Sequence, residues 1–155
     1  MPIGSADFEK VYEEYFNMIY RICFVYFSGN SHDTEDAVQT VFLKLMTSQS
    51  APDDAQHLKA WLIVTAQNTC KSMLRRSLRK NLPLDAAVGE QVPFEYGDTL
   101  KAVMSLPYEQ KTAVLLCYYE GYTAGEAAKL MGCRENTVYS YIHRAKKKLT
   151  KQLGV

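Results

Sequence analysis

The chain has few of the residues that build catalytic or metal centres. It contains 3 histidines and 4 cysteines in 155 residues, and no two cysteines form a C-x-x-C pair. The histidines lie in separate segments, without ligand spacing to one another or to cysteine, so the sequence predicts no enzyme, no metal site and no cofactor. Widely separated cysteines on or beside apolar helix faces are typical of buried reduced thiols.

Long apolar runs are also absent. No run approaches the roughly 18 residues of a membrane span, and the N-terminal MPIGSADFEK lacks the basic and then apolar pattern of a secretory signal. We therefore expect a cytoplasmic protein without membrane insertion. The content of 47% hydrophobic and 23% charged residues indicates a globular chain, long enough for one domain or two small ones.

The net charge of +1 conceals a strong pattern along the chain. Residues 1–56 carry 3 basic and 9 acidic side chains, whereas residues 57–82 carry 6 basic and none acidic. Residues 83–110 have 1 basic and 5 acidic side chains, and residues 133–155 have 6 basic and 1 acidic. Two basic segments separated by acidic ones predict two contact points on a polyanion, with acidic surfaces left for solvent or a basic partner.

Apolar residues recur with the period of a helix along most of the chain, and strand-like alternation persists nowhere. The fold class is therefore predicted to be all-α. The first half should form helices over about residues 6–27, 31–47 and 57–80. Ser31 or Asp33 is expected to cap the second helix, and Trp61 is expected to pack in the core from the third.

A stretch of low periodicity divides the chain. Residues 82–97 contain two prolines and two glycines, which predicts a flexible linker. The expected architecture is a three-helix domain over residues 1–81 and a four-helix domain over residues 98–155. In the second domain, Pro107 should open a helix that runs to about Glu120.

The segment from Thr123 to Lys148 has the pattern of a helix-turn-helix. Thr123 and Glu126 fit a capping box, and Gly132 supplies the left-handed residue that ends a helix. The next helix has an apolar stripe, while its opposite face carries side chains able to reach base edges and phosphates. Nucleic-acid binding is the first hypothesis, and an ordinary helical hairpin with a basic end is the alternative.

Three segments, taken in their order along the chain, resemble the group IV, or extracytoplasmic-function, sigma factors of bacterial RNA polymerase. D-T-E-D-A-V-Q-T-V-F-L-K-L, residues 33–45, is similar to the region two helix that docks on the polymerase clamp. Residues 57–76 resemble the helix that opens promoter DNA and reads the minus-ten element, and residues 106–148 resemble region four, which reads the minus-thirty-five element. The resemblance implies a sigma factor that binds core RNA polymerase and promoter DNA, and it implies an anti-sigma factor as a partner.

The resemblance also implies roles for individual residues. The polymerase-binding set is Asp33, Asp36, Gln39 and Thr40, the last of which replaces the usual Glu. The minus-ten set is Asn68, Lys71, Arg75, Arg76 and Arg79. The minus-thirty-five set is Asn136, Thr137, Tyr139, Ser140, His143, Arg144 and Lys147. Val64 and Gln67 stand where many members carry Arg, which implies either weaker contact with duplex DNA or a different promoter preference.

One alternative function shares the predicted fold. A helix-turn-helix transcriptional regulator would bind DNA without binding polymerase, and it would need no acidic clamp-binding face. The surplus of acidic side chains over residues 1–56 argues for the sigma factor instead.

Overall fold

A computed structural model of the protein describes residues 5–79 and 97–154. The chain divides into two compact units, Met1–Phe94 and Glu95–Val155. Every regular element in the described ranges is a helix, which confirms the predicted fold class. Residues 82–96 of the predicted linker lie outside those ranges.

The first unit is a bundle of three helices. They are α1 (Ser5–Tyr26), α2 (Ser31–Thr47) and α3 (Ala55–Arg79), with ends close to the predicted ones. Each helix packs against the other two. The fully buried side chains at the centre are large, and they include Ile19, Phe24, Leu45, Leu62 and Ile63. Burial of these apolar side chains away from water holds the three amphipathic helices together.

The start of α2 differs from the prediction. Asn30 is the N-cap, not Ser31 or Asp33, because its side-chain oxygen accepts a hydrogen bond from the Asp33 N–H at 3.0 Å. The chain reaches this position through two residues with positive φ, Ser28 at 52° and Gly29 at 88°. This tight turn from α1 into α2 places Asn30 at the cap, a position that amide side chains favour.

The buried face of α3 is wider than one apolar stripe. Gln67 is 3% exposed and Ile63 is fully buried, whereas Trp61 is only partly buried. The placement of Trp61 in the core is therefore wrong, and Gln67 is not available to DNA. The physical reason is that α3 packs against both α1 and α2, so two neighbouring strips of its surface are covered.

The second unit is built around its last helix. Its helices are α4 (Asp98–Met104), α5 (Tyr108–Val114) continued by a π-helical turn (Leu115–Tyr119), α6 (Ala124–Met131) and α7 (Glu135–Leu153). Pro107 stands at the N-cap of α5, close to the predicted position. Helices α4, α5 and α6 all pack on α7. Several of the contacting residues are alanines, which let the helices approach closely.

The helix-turn-helix is formed by α6 and α7, and its predicted signals are confirmed. The Thr123 hydroxyl accepts from the Glu126 N–H at 3.1 Å, and the Glu126 carboxylate accepts from the Thr123 N–H at 3.0 Å. Gly132 ends α6 with φ 71° and ψ 35°. Val138 and Ala145 of α7 are buried against the other helices. This leaves the opposite side of α7 exposed.

Candidate protein and nucleic-acid interfaces

The outer side of α2 carries the predicted polymerase-binding residues. Asp36 and Gln39 are exposed, and Asp33 and Thr40 are partly exposed. The Thr40 hydroxyl donates to the Asp36 carbonyl oxygen at 2.8 Å, so the helix itself satisfies this hydroxyl. The His32 imidazole lies 3.6 Å from the Asp36 carboxylate. Asp36 and Gln39 are thus the two side chains of this set that are most open to a partner.

Two apolar residues extend the same side of α2, and the sequence reasoning missed them. Leu43 is 59% exposed and Met46 is 51% exposed. Residues three or four positions apart share one helix face, so these two continue the row that begins at Asp36 and Gln39. Spacing alone could have identified both residues as exposed, because neither falls on the buried side of α2. We call Asp36, Gln39, Leu43 and Met46 the α2 surface.

The predicted minus-ten residues lie along one side of α3. Asn68, Arg75 and Arg76 are exposed, and Lys71 is partly exposed. Their separations of three, four and one positions keep them within the same half of the helix circumference. Helix α3 ends at Arg79, whose side chain lies outside the described set. The structure therefore brings an amide and at least three cationic groups to one face.

An open recess lies beside Asn68, where α2 and α3 meet. Its volume is about 330 Å³, and it is lined by Lys44, Thr47, Ser48, Trp61, Thr65 and Asn68. The Lys44 ammonium donates to the Thr69 hydroxyl at 3.0 Å and so ties the two helices together. An indole, an amide, hydroxyl groups and a cation converge there. This combination suits a flat polar group.

The predicted recognition residues occupy the exposed side of α7. Asn136, Tyr139, His143, Arg144 and Lys147 are exposed, and Thr137 and Ser140 are partly exposed. They face away from the buried residues Val138 and Ala145, as the helical period requires. The N-terminal half of this side carries amide, hydroxyl and imidazole groups, while its C-terminal half is strongly basic.

The described residues form no disulfide. Cys23 and Cys70 are buried, and Cys117 and Cys133 are partly buried. Burial raises the pKa of the Cys117 thiol, which disfavours its thiolate form. No helix within residues 5–79 and 97–154 is both long and apolar enough to cross a bilayer.

Comparison with known proteins identifies the family. Residues 11–80 match the model of sigma-70 region 2, and residues 97–149 match that of sigma-70 region 4. The ECF RNA polymerase sigma factor SigF of Caulobacter vibrioides is 31% identical over 133 residues, which cover 81% of this chain and 74% of that protein. The chain belongs to the sigma-70 family, in its extracytoplasmic-function group.

Two further relatives match most of the chain. The ECF RNA polymerase sigma factor EcfG of Rhodopseudomonas palustris is 27% identical over 136 residues, covering 83% of this chain and 75% of that protein. Among solved structures, the sigma factor RpoE of Bartonella quintana, in complex with the anti-sigma factor NepR, has a TM-score of 0.77 and 27% identity. That match covers 96% of this chain and 98% of RpoE.

Proposed function

We propose that this sigma factor binds core RNA polymerase through the α2 surface and promoter DNA through α3 and α7. The observation that carries the proposal is the presence, in one chain, of a mixed polar and apolar surface on α2 together with two cationic helix faces. A transcriptional regulator that acts without polymerase needs only the DNA-binding faces. Family membership supports the sigma factor as well.

The α2 surface has the composition of a protein interface. Leu43 and Met46 supply exposed apolar area, and Asp36 and Gln39 supply a charge and an amide beside it. Protein interfaces commonly combine an apolar centre with a polar rim, and Met is enriched in them. Charge on the rim contributes mostly to association rate and partner choice. We assign the apolar pair the larger share of the affinity for polymerase.

The recess between α2 and α3 fits a base of the opened minus-ten element. A base that has left the stack exposes its flat faces and its pairing edge, which aromatic and amide side chains can contact. Trp61 and Asn68 both line the recess. Lys71, Arg75, Arg76 and Arg79 follow on the same helix, and phosphate contacts are their proposed role.

Helix α7 is the proposed reader of the minus-thirty-five element in duplex form. The second helix of a helix-turn-helix lies in the major groove, where its N-terminal residues contact base edges. Asn136, Thr137, Tyr139 and Ser140 occupy that half of the exposed side, with His143 at its middle. Arg144 and Lys147 are assigned to phosphates.

The remaining parts of the proposal concern partners and location. An anti-sigma factor is proposed as an inhibitory partner, because the similar RpoE was solved in complex with one. The protein itself is proposed to carry no catalytic group, since the polymerase performs the chemistry. It is proposed to act in the cytoplasm, where polymerase and promoter DNA are found.

The test is co-purification of the tagged full chain with bacterial core polymerase, followed by run-off transcription from a genomic fragment library. We expect a stable complex with new, discrete start sites. The double variant Asp36→Ala/Gln39→Ala should bind polymerase about tenfold more weakly, and Leu43→Ser/Met46→Ser should lose at least as much.

A matched control uses the outer face of α1. Glu13 and Asn17 are an exposed acid and amide one turn apart, so Glu13→Ala/Asn17→Ala removes the same groups from a different surface. This variant should bind polymerase as the parent does. Equal loss of polymerase binding and DNA binding in the α2 variants would overturn the assignment. A chain that binds DNA but forms no complex with polymerase belongs to the regulator class.

A further inference from the structure

The first two turns of α7 hold an acidic residue that the assigned recognition set does not include. Glu135 is the first residue of α7, and its side chain is exposed. Tyr139 follows one turn later and is 57% exposed. The Tyr139 hydroxyl donates a long hydrogen bond, 3.4 Å, to one carboxylate oxygen of Glu135. The two side chains therefore form one unit at the end of the helix that enters the groove.

The carboxylate also lies near the start of α6. The other oxygen of Glu135 is 3.5 Å from where a Cβ atom on Gly125 would stand, so the carboxylate is close to the first turn of α6. Glu135 is also in the first turn of its own helix. Negative charge is favoured at a helix N-terminus, and here two such ends meet. The carboxylate therefore lies between the first turn of α6 and the Tyr139 hydroxyl.

The pair offers acceptors and an aromatic edge to the groove, but no proton. A carboxylate accepts hydrogen bonds only, and the single hydroxyl proton of Tyr139 is directed to Glu135. In the major groove, guanine presents two acceptors, N7 and O6, which would face the carboxylate without a donor between them. Cytosine presents the N4 amino donor. Adenine presents an amino donor beside the N7 acceptor, so it is the poorer of the two partners.

We propose that Glu135 is a specificity-determining residue of α7, selecting cytosine and rejecting guanine at one position of the upstream promoter element. Tyr139 is the positioning residue that orients the carboxylate. The inference rests on the proposed function, because it requires α7 to read duplex DNA. The proposed function gains from it a preference for one base at one position of the promoter element.

The test is transcription by polymerase carrying the full-length chain, from a library in which the upstream element is randomised. At one position, the parent should select cytosine over guanine by about tenfold or more. Glu135→Gln should abolish that discrimination and move the preference to adenine, because an amide both donates to N7 and accepts from N6. Tyr139→Phe should weaken the selection of cytosine by about threefold while retaining its direction.

The control variant is Glu109→Gln, which makes the same change at an exposed acid in the first turn of α5. It should leave every base preference as in the parent. The inference is overturned if the parent initiates from selected promoters and Glu135→Gln has an unchanged base profile. A parent complex that yields no discrete start sites overturns the proposed function instead, so the two failures are distinguishable.

Discussion

The two units of the chain pack in different ways. The first unit buries aromatic rings, Phe24 and Phe42 among them. The less buried rings of Phe8, Tyr12 and Phe16 lie within 6.4 Å of the Phe42 ring, measured between centroids. Among the described residues of the second unit, none of the buried apolar side chains is aromatic, and they range from Ala127 and Ala145 to Val103 and Leu116. In the second unit, Val138 and Ala145 bury one side of α7 and leave exposed the opposite side, where DNA contact is proposed.

Removing volume should damage the first unit most. Phe24 is fully buried, so Phe24→Ala is expected to lower the free energy of unfolding of this unit by about 3–5 kcal/mol. Hydrogen exchange should show faster exchange across α1, α2 and α3. Exchange in α4 to α7 should be unchanged, because the second unit has its own core. The exposed Leu43→Ala serves as control, with an expected change within about 0.5 kcal/mol.

Adding volume at a fully buried alanine should damage the second unit. Ala127 is fully buried on α6, and Ala127→Leu is expected to lower the free energy of unfolding by about 1–3 kcal/mol through overpacking. Denaturant unfolding would measure the loss. Lys129→Leu adds a leucine at an exposed position of the same helix and should leave stability nearly unchanged. A tolerated Ala127→Leu would contradict the close packing of α6 on its neighbours.

A cation on the exposed side of α7 is expected to affect DNA binding, whereas a cation on α4 is not. Arg144→Ala should weaken binding of duplex DNA to all sequences alike and reduce the slope of log affinity against log salt by about one. Titrations at several salt concentrations would measure the slope. Lys101→Ala removes a cation from the exposed surface of α4 and should leave the slope unchanged. An unchanged slope in Arg144→Ala would mean that this residue contacts a base or makes no contact.

The smallest expected effect distinguishes the caps of the two units. Hydrogen bonding to the Thr123 backbone N–H and then to its side chain lowers the pKa of Glu126. A lowered pKa in the folded state contributes stability above the ordinary carboxyl range, and this stability is lost as the pH falls through the folded value. Amides of α6 should therefore exchange faster below about pH 4, whereas α2, capped by the uncharged Asn30, should not show this loss.

Glu126→Gln tests whether Glu126 causes the acid dependence of amide exchange in α6. The amide can still accept from the Thr123 N–H, so the capping box persists without a titrating group. Exchange at α6 in the variant should not show the added acid dependence of the parent. The same acid dependence in parent and variant would assign it to another group.

Local features of the chain were predictable from spacing alone. Thr123 and Glu126 are three residues apart, and both hydrogen bonds of the capping box form between them. Gly132 ends α6 because a residue without Cβ adopts the left-handed conformation without strain. The apolar period located each described helix and the exposed side of α7. Such interactions join residues within one or two turns, so the order of the residues is enough to specify them.

The packing of the helices decided which polar and aromatic residues are buried and which surfaces they form together. Gln67 is buried and Trp61 reaches the surface because α1 and α2 together cover two strips of α3. The recess beside Asn68 requires both α2 and α3, and the nearness of Glu135 to Gly125 depends on the packing of α6 against α7. Sequence periodicity therefore determined which helices form and which side of each is apolar. Burial and the composition of each surface depend on which helices lie next to it, and only packing brings those residues together.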